Sequence, residues 1–195
     1  MRGREGEGGN PLIFNKHYAL VGKHAILSAS HSSWLNYDDD KLINYYNAMM
    51  AKERGTELHE VAAKLIKLGE PLPRKKRTLN LYVNDAIGYK MQPEQVLYYS
   101  DNFFGTADAI SFRNKELRIH DLKTGVTPAH MEQLFIYAAL FCLEYRYKVS
   151  ELKIETRLYQ SNEVIVAKPD ELIISPIMEK IMAFDKLLNR INGGE

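Results

Sequence analysis

From Asp40 to Leu68 the chain contains no proline, and apolar residues return at helical spacing: Leu42, Tyr45, Tyr46 and Met49, then Leu58, Val61, Ala62 and Leu65. This predicts a long helix, with Gly55 as a kink or break and Gly69 followed by Pro71 as the stop. Ahead of it, residues 12–36 are mixed, with short apolar pieces such as Ala25-Ile26-Leu27, and Ser30, Ser32 and Ser33 are candidates to cap a turn or short helix. A second helix is expected over Leu79–Tyr89, before Pro93 punctuates the chain. From Gln95 the pattern becomes strand-like: Val96–Tyr99, Thr106–Phe112 and Leu117–Leu122, the last two joined by the polar turn Arg113-Asn114-Lys115-Glu116. Thr127 and Pro128 form an N-cap and first-turn pair for a helix from Pro128 to about Tyr145. Two strands follow, Leu152–Tyr159 and Glu163–Ala167, joined by a Ser161-Asn162 turn, and a last helix is expected from about Ser175 to Asn192. The order helix, helix, three strands, helix, two strands, helix predicts an α/β domain with a small central mixed sheet flanked by helices.

The acidic residues of the predicted hairpin follow from its register. If Phe112 and Leu117 flank the turn, Ile110 faces Ile119 and Asp108 faces Asp121; a two-residue turn at Asn114-Lys115 gives the same pairing. Asp121 and Lys123 share a face because side chains alternate along a strand. Directly opposed residues have Cβ atoms ~4.5–5.5 Å apart, and opposed like charges are destabilising unless something neutralises them. Carboxylates with water suit Mg²⁺ or Mn²⁺, and such an ion polarises a phosphodiester and lowers the pKa of a bound water. Lys123 beside it is suited to position that water or to stabilise charge developing on phosphate. On spacing alone, two solvated aspartates with Lys123 in a salt bridge fit equally well. The flanking Ala107, Ala109, Ile110, Ile119 and Leu122 place the pair inside the hairpin, where unpaired acids are costly, and this favours a functional pair.

The bulk numbers narrow the choice. The chain has 195 residues, 45% hydrophobic and 26% charged, enough for one ordinary domain with a core. A net charge of +1 leaves nucleic-acid contact to local basic patches. The single cysteine, Cys142, excludes an intrachain disulfide framework and a cysteine-ligated iron–sulfur cluster; its apolar surroundings predict a buried, inert thiol. No segment is long and apolar enough for a membrane span. Residues 1–11 read as a flexible, Gly-rich N-terminal arm without the apolar stretch of a signal peptide, residues 12–195 as a single domain, and a cytoplasmic location is the default expectation.

Several motifs carry a family resemblance. Gly105-Thr106-Ala107-Asp108 followed by Asp121-Leu122-Lys123-Thr124-Gly125 resembles the PD-(D/E)XK nuclease signature, and Gln133-Leu134-Phe135-Ile136-Tyr137 resembles the QxxxY motif of its RecB-like branch. Arg54-Gly55-Thr56-Glu57-Leu58-His59 resembles that branch's helical histidine motif. The order is similar to that of RecB-type nuclease domains, CRISPR-adaptation exonucleases and mitochondrial single-strand exonucleases; phage recombination exonucleases share the core. The resemblance runs from about Ser30 to Tyr159. It implies a restriction-endonuclease-like core and a metal-dependent DNA exonuclease using Mg²⁺ or Mn²⁺. His59, Asp108, Asp121 and the Leu122 carbonyl would ligate metal, Lys123 would be the catalytic lysine, and Gln133 and Tyr137 would hold DNA near the scissile phosphate. Gln133 and Tyr137 lie one helical turn apart and project from one face. The chain departs from the pattern at Ala107, where the family name has proline, at Asp121, where many relatives have Glu, and in lacking the cysteines that hold a cluster in some relatives. No helicase motif is present, so the resemblance implies action alone or with separate recombination or replication proteins, in a bacterial or phage-infected cell. A structure-specific endonuclease on the same core, and a catalytically weak nucleic-acid-binding or recruitment module, are the alternatives.

Other residues have plainer roles beside the functional ones. Glu94 precedes the strand region where relatives often carry an acid, and is a further candidate for a metal or water role. Arg74, Lys75, Lys76 and Arg77 form a candidate phosphate-contacting loop or a solvated one. His120 alternates away from Asp121 and reads as structural; His130 and Glu132 read as capping or exposed residues in the first turns of the Pro128 helix. Trp34, Tyr37, Tyr45 and Tyr46 have the chemistry to stack bases, but aromatics at helical spacing are more often core.

Overall fold

The computed structural model describes residues 25–27, 32–125 and 129–193. The expected N-terminal arm and the Thr127-Pro128 cap lie outside these residues. The chain divides into two compact units, Met1–Met50 and Ala51–Glu195. In the first, a 3-10 helix (Ser32–Asn36) leads into α1 (Asp39–Leu68), which continues into the second unit. Asp38 caps α1, its Oδ1 accepting the Lys41 N–H at 2.8 Å. Tyr37 packs edge-on against Tyr45 at 5.6 Å, so this aromatic pair is engaged within the unit.

The second unit is an α/β assembly whose five-stranded mixed sheet is flanked by helices. After α1 come α2 (Thr78–Gly88), β1 (Gln92–Ser100), β2 (Phe103–Arg113), β3 (Glu116–Leu122), α3 (Glu132–Tyr145), β4 (Lys153–Gln160), β5 (Glu163–Ala167) and α4 (Glu171–Gly193). The sheet order is β1-β2-β3-β4-β5. Only β3 and β4 are parallel, and α3 forms the crossover a parallel pair requires. Both tight hairpins turn through two residues of positive φ, Asn114-Lys115 and Ser161-Asn162, which match the right-handed twist of the strands.

Alternation divides β3 between two buried clusters: Leu117 and Ile119 pack with Leu134, Ala138 and Phe141 of α3, whereas Leu122 packs with Ala62 and Ile66 of α1 and Tyr82 and Val83 of α2. His120 belongs to the Leu122 side, away from Asp121, as the alternation predicts. It is fully buried, with Nδ1 3.2 Å from the Tyr159 hydroxyl. Cys142 is buried, and burial pushes its thiol up to about 11.

Four local expectations change. Gly55 does not interrupt α1; a Cβ there would lie 2.8 Å from Thr124 Oγ1, so the glycine lets the helix approach the end of β3. β1 begins at Gln92 and includes Pro93, tolerated on an edge strand. α3 begins at Glu132 rather than Pro128, with Met131 as its N-cap, and this places His130 before the helix. α4 starts at Glu171, and Pro176 is accommodated inside its first turns.

Candidate functional site

The hairpin register is the expected one: Phe112 pairs with Leu117, Ile110 with Ile119 and Ala109 with His120. The backbone ladder ends there. One step further, Asp108 turns its carboxylate onto β3, Oδ2 accepting the Leu122 N–H at 2.8 Å. On the other side of β2, Pro93 pairs with Ala109 and Gln95 with Ala107, which brackets Glu94 opposite Asp108. Glu94 carries φ +52°, left-handed backbone inside a strand, a conformation of the kind that costs about 1–3 kcal/mol.

α1 brings His59 to the same point, its Nδ1 3.4 Å from Asp108 Oδ2. His59, Glu94 and Asp108 each offer a ligand atom, all within 4.8 Å of one another. Asp121 lies beside them and is only 2% exposed. Its Oδ1 is held by Lys123 Nζ at 2.9 Å, while its Oδ2 is buried without a hydrogen-bond partner. Lys123 Nζ also donates to Gln133 Oε1 at 2.9 Å, and Gln133 Nε2 donates to the Tyr137 hydroxyl at 3.1 Å. A continuous polar chain therefore runs from Asp121 through Lys123 and Gln133 to Tyr137. Gly105 permits it: a Cβ there would stand 2.9 Å from Tyr137 Cε1.

The electrostatics reflect acids crowded with incomplete compensation. Burial, then the Asp108 charge, raises the Asp121 carboxyl, against the opposing pull of Lys123. Burial and then Asp108 also raise Glu94. The hydrogen bond to Asp108 raises His59, against the effect of burial. These are environments in which a bound cation relieves repulsion. One imidazole nitrogen and three carboxylates, one of them the Asp121 carboxylate with its orphaned buried oxygen, form a donor set suited to a divalent ion such as Mg²⁺ or Mn²⁺.

The expected residues His59, Asp108, Asp121, Lys123, Gln133 and Tyr137 thus gather in one place, and Leu122 joins through its main-chain N–H. Glu94, a lesser candidate in the sequence, shares the tight three-residue group with His59 and Asp108. Arg74, Lys75, Lys76 and Arg77 are exposed in the loop before α2. That loop is fastened by Asn84, which bonds both main-chain atoms of Leu72, and by Asn80, whose Nδ2 donates to the Pro73 carbonyl. The basic loop adjoins Thr78 and Leu79, which line a groove of about 230 Å³ with Lys123 and Thr124. Tyr82 was not anticipated. Its phenol is pushed up first by burial and then by Asp108, Glu94 and Asp121, so it lies within the field of the cluster. Its only sequence signal was the helical spacing that also marks core residues.

No family model matches the chain, and no solved structure matches it. Among the described residues, no helix is long and apolar enough to cross a membrane.

Proposed function

We propose that the chain is a metal-dependent nuclease of the PD-(D/E)XK type, acting as a DNA exonuclease. The observation that carries the reading is the meeting of His59, Asp108, the Asp121–Lys123 pair and the Gln133–Tyr137 pair, from separate helices and strands, around one group of acids. His59, Glu94, Asp108 and Asp121, with the Leu122 carbonyl, would hold Mg²⁺ or Mn²⁺. When bound, the ion supplies Lewis acidity, polarising a phosphodiester and lowering the pKa of water.

The chain's own residues supply the rest. Lys123 is positioned from two sides, by Asp121 Oδ1 and Gln133 Oε1, so its ammonium is preorganised to stabilise negative charge developing on phosphate. Gln133 is oriented in turn by Tyr137, which fixes the far end of the polar chain. Asp108 is locked to the main chain of β3 and presents its carboxylate with little freedom. The Arg74–Arg77 loop is suited to backbone phosphates.

The test compares end-labelled linear DNA with closed circular DNA, each with Mn²⁺ and with chelator. Metal-dependent loss of linear DNA alone is the expected result. Cleavage of circles would assign an endonuclease on the same core, and binding without cleavage would assign a recruitment module. Asp121→Ala and Lys123→Ala should each abolish cleavage with the fold retained; activity surviving both would sink the site assignment.

A further inference from the structure

A groove of about 610 Å³ runs along α1 beside the cluster, from Thr56 and His59 past Ala63 to Leu68, with Glu94 on its other side. Its apolar residues are the buried Ala63 and the exposed Leu68; the other six that line it are polar or charged. Lys64 and Lys67 line it and are exposed, and neither forms an ion pair among the described residues. The Lys67 charge is felt at Glu94, whose carboxyl it lowers. Glu60 also lines the groove, so outside the cluster itself two lysines stand against one acid.

We propose that this groove holds an unpaired nucleotide of the substrate strand, its phosphate at Lys64 and Lys67 and its base against the apolar lining around Ala63 and Leu68. The inference rests on the nuclease reading and adds the form of the substrate at the cluster. His59, Ala63 and Lys67 follow one another at single-turn intervals and project along one face of α1. Lys64 and Lys67 lie roughly 8–12 Å along the helix axis from His59, so a phosphate bound there belongs to a neighbouring nucleotide, not to the bond at the cluster. Free ammonium groups above an apolar surface suit a ligand that is anionic at one end and flat and apolar at the other. A duplex keeps its base faces stacked inside and presents sugar and phosphate, which would leave the apolar lining uncovered. A single strand can turn a base onto it.

The experiment measures binding of a fluorescent single-stranded oligonucleotide, and of a duplex of the same length, in chelator over a range of salt. It uses the full chain, the Lys64→Ala/Lys67→Ala variant, and a Lys180→Ala/Lys186→Ala control with the same change of charge on α4. Alanine is the strongest helix former, so both variants keep their helices, which thermal melting verifies. Losing two phosphate contacts should flatten the slope of log affinity against log salt by about 1.4 for single strands. The control should keep the parent slope, and the duplex should lose less than the single strand. An unchanged slope in the groove variant, an equal change in the control, or a larger loss with duplex overturns the proposal while leaving the nuclease reading standing. A parent chain that binds neither DNA overturns this proposal, and the Mn²⁺ cleavage assay decides the nuclease reading separately.

Discussion

Asp121→Asn separates a metal ligand from an ordinary salt bridge, because the two readings give opposite signs. The 2.9 Å contact with Lys123 suggests at first that the Asp121 charge stabilises the fold. The larger influences are burial and then Asp108, and both raise the Asp121 carboxyl. A carboxyl raised in the folded state binds its proton more tightly there than in the unfolded chain. Stability therefore falls as pH rises from the ordinary carboxylate range through the folded value, and the deficit is complete above that value. Asparagine keeps the shape and an acceptor for Lys123 Nζ while removing the charge, so in chelator the variant should melt above the parent. Mn²⁺ should reverse the order. An ion that binds only the folded parent at a hundredfold excess over Kd adds about 2.7 kcal/mol, and for a chain of this size that is roughly 5–11 °C in Tm. The variant, lacking a buried ligand, should gain far less. Scanning calorimetry of both proteins, with Mn²⁺ and with chelator, decides the matter. A variant that melts lower in chelator would make the Asp121–Lys123 pair a net stabilising salt bridge, and an equal metal shift in both would place the ion elsewhere.

Burial first, then Arg157 and Arg118, lowers His120 to about 3 from an ordinary value of 6.5. The unfolded chain then binds the proton first, so stability falls as pH drops below about 6.5, by about 2 kcal/mol at pH 5. Urea titrations at pH 7.5 and pH 5 should show this extra loss in the parent and not in His120→Phe; equal losses would refute it. Gly105→Ala should push the Tyr137 ring off its seat and cut cleavage by up to roughly a hundredfold, with little change in melting. Unchanged kcat would mean that Tyr137 does not position the chemistry. Arg157 donates to Asp85 at 3.0 Å, Glu155 at 2.9 Å and the Tyr89 hydroxyl at 2.7 Å, and is 18% exposed. Arg157→Met should cost roughly 2–3 kcal/mol in chemical denaturation, somewhat below the cost of breaking a fully buried pair. A loss under about 0.5 kcal/mol, the range of ordinary surface changes, would refute it.

The parts of the site legible in the sequence are those fixed by short-range rules. The hairpin register follows from two alternating apolar runs meeting at a two-residue turn, and any slip would bury the wrong face of β2 and β3. With register set, Asp121 and Lys123 must share a side, and His120 must lie opposite them. The positions that misled depend on distant partners. Gly55 carries a breaker's composition, yet what it accommodates is Thr124, well beyond any local window. Pro128 has the chemistry of a helix start, but α3 begins only at Glu132, with Met131 as its N-cap, and the Ala129 N–H is taken by Gln160 of β4.

Glu94 shows most clearly why the site is more than its motifs. As a sequence it is an acid after a proline, a candidate only through the family resemblance and otherwise like a solvated loop residue. In the fold it sits in an edge strand, opposite Asp108, in backbone that a non-glycine residue adopts at a cost. Glu94 stays exposed, between the paired neighbours Pro93 and Gln95. In that conformation its carboxylate offers a third possible ligand atom within 4.8 Å of those of His59 and Asp108, near an Asp121 oxygen that has no partner. Backbone strain, opposed like charges and an unsatisfied buried oxygen are three separate costs at one point. A shared divalent cation would neutralise the opposed charges and give the Asp121 oxygen a partner, whereas a salt bridge to Lys123 offsets only part of the charge.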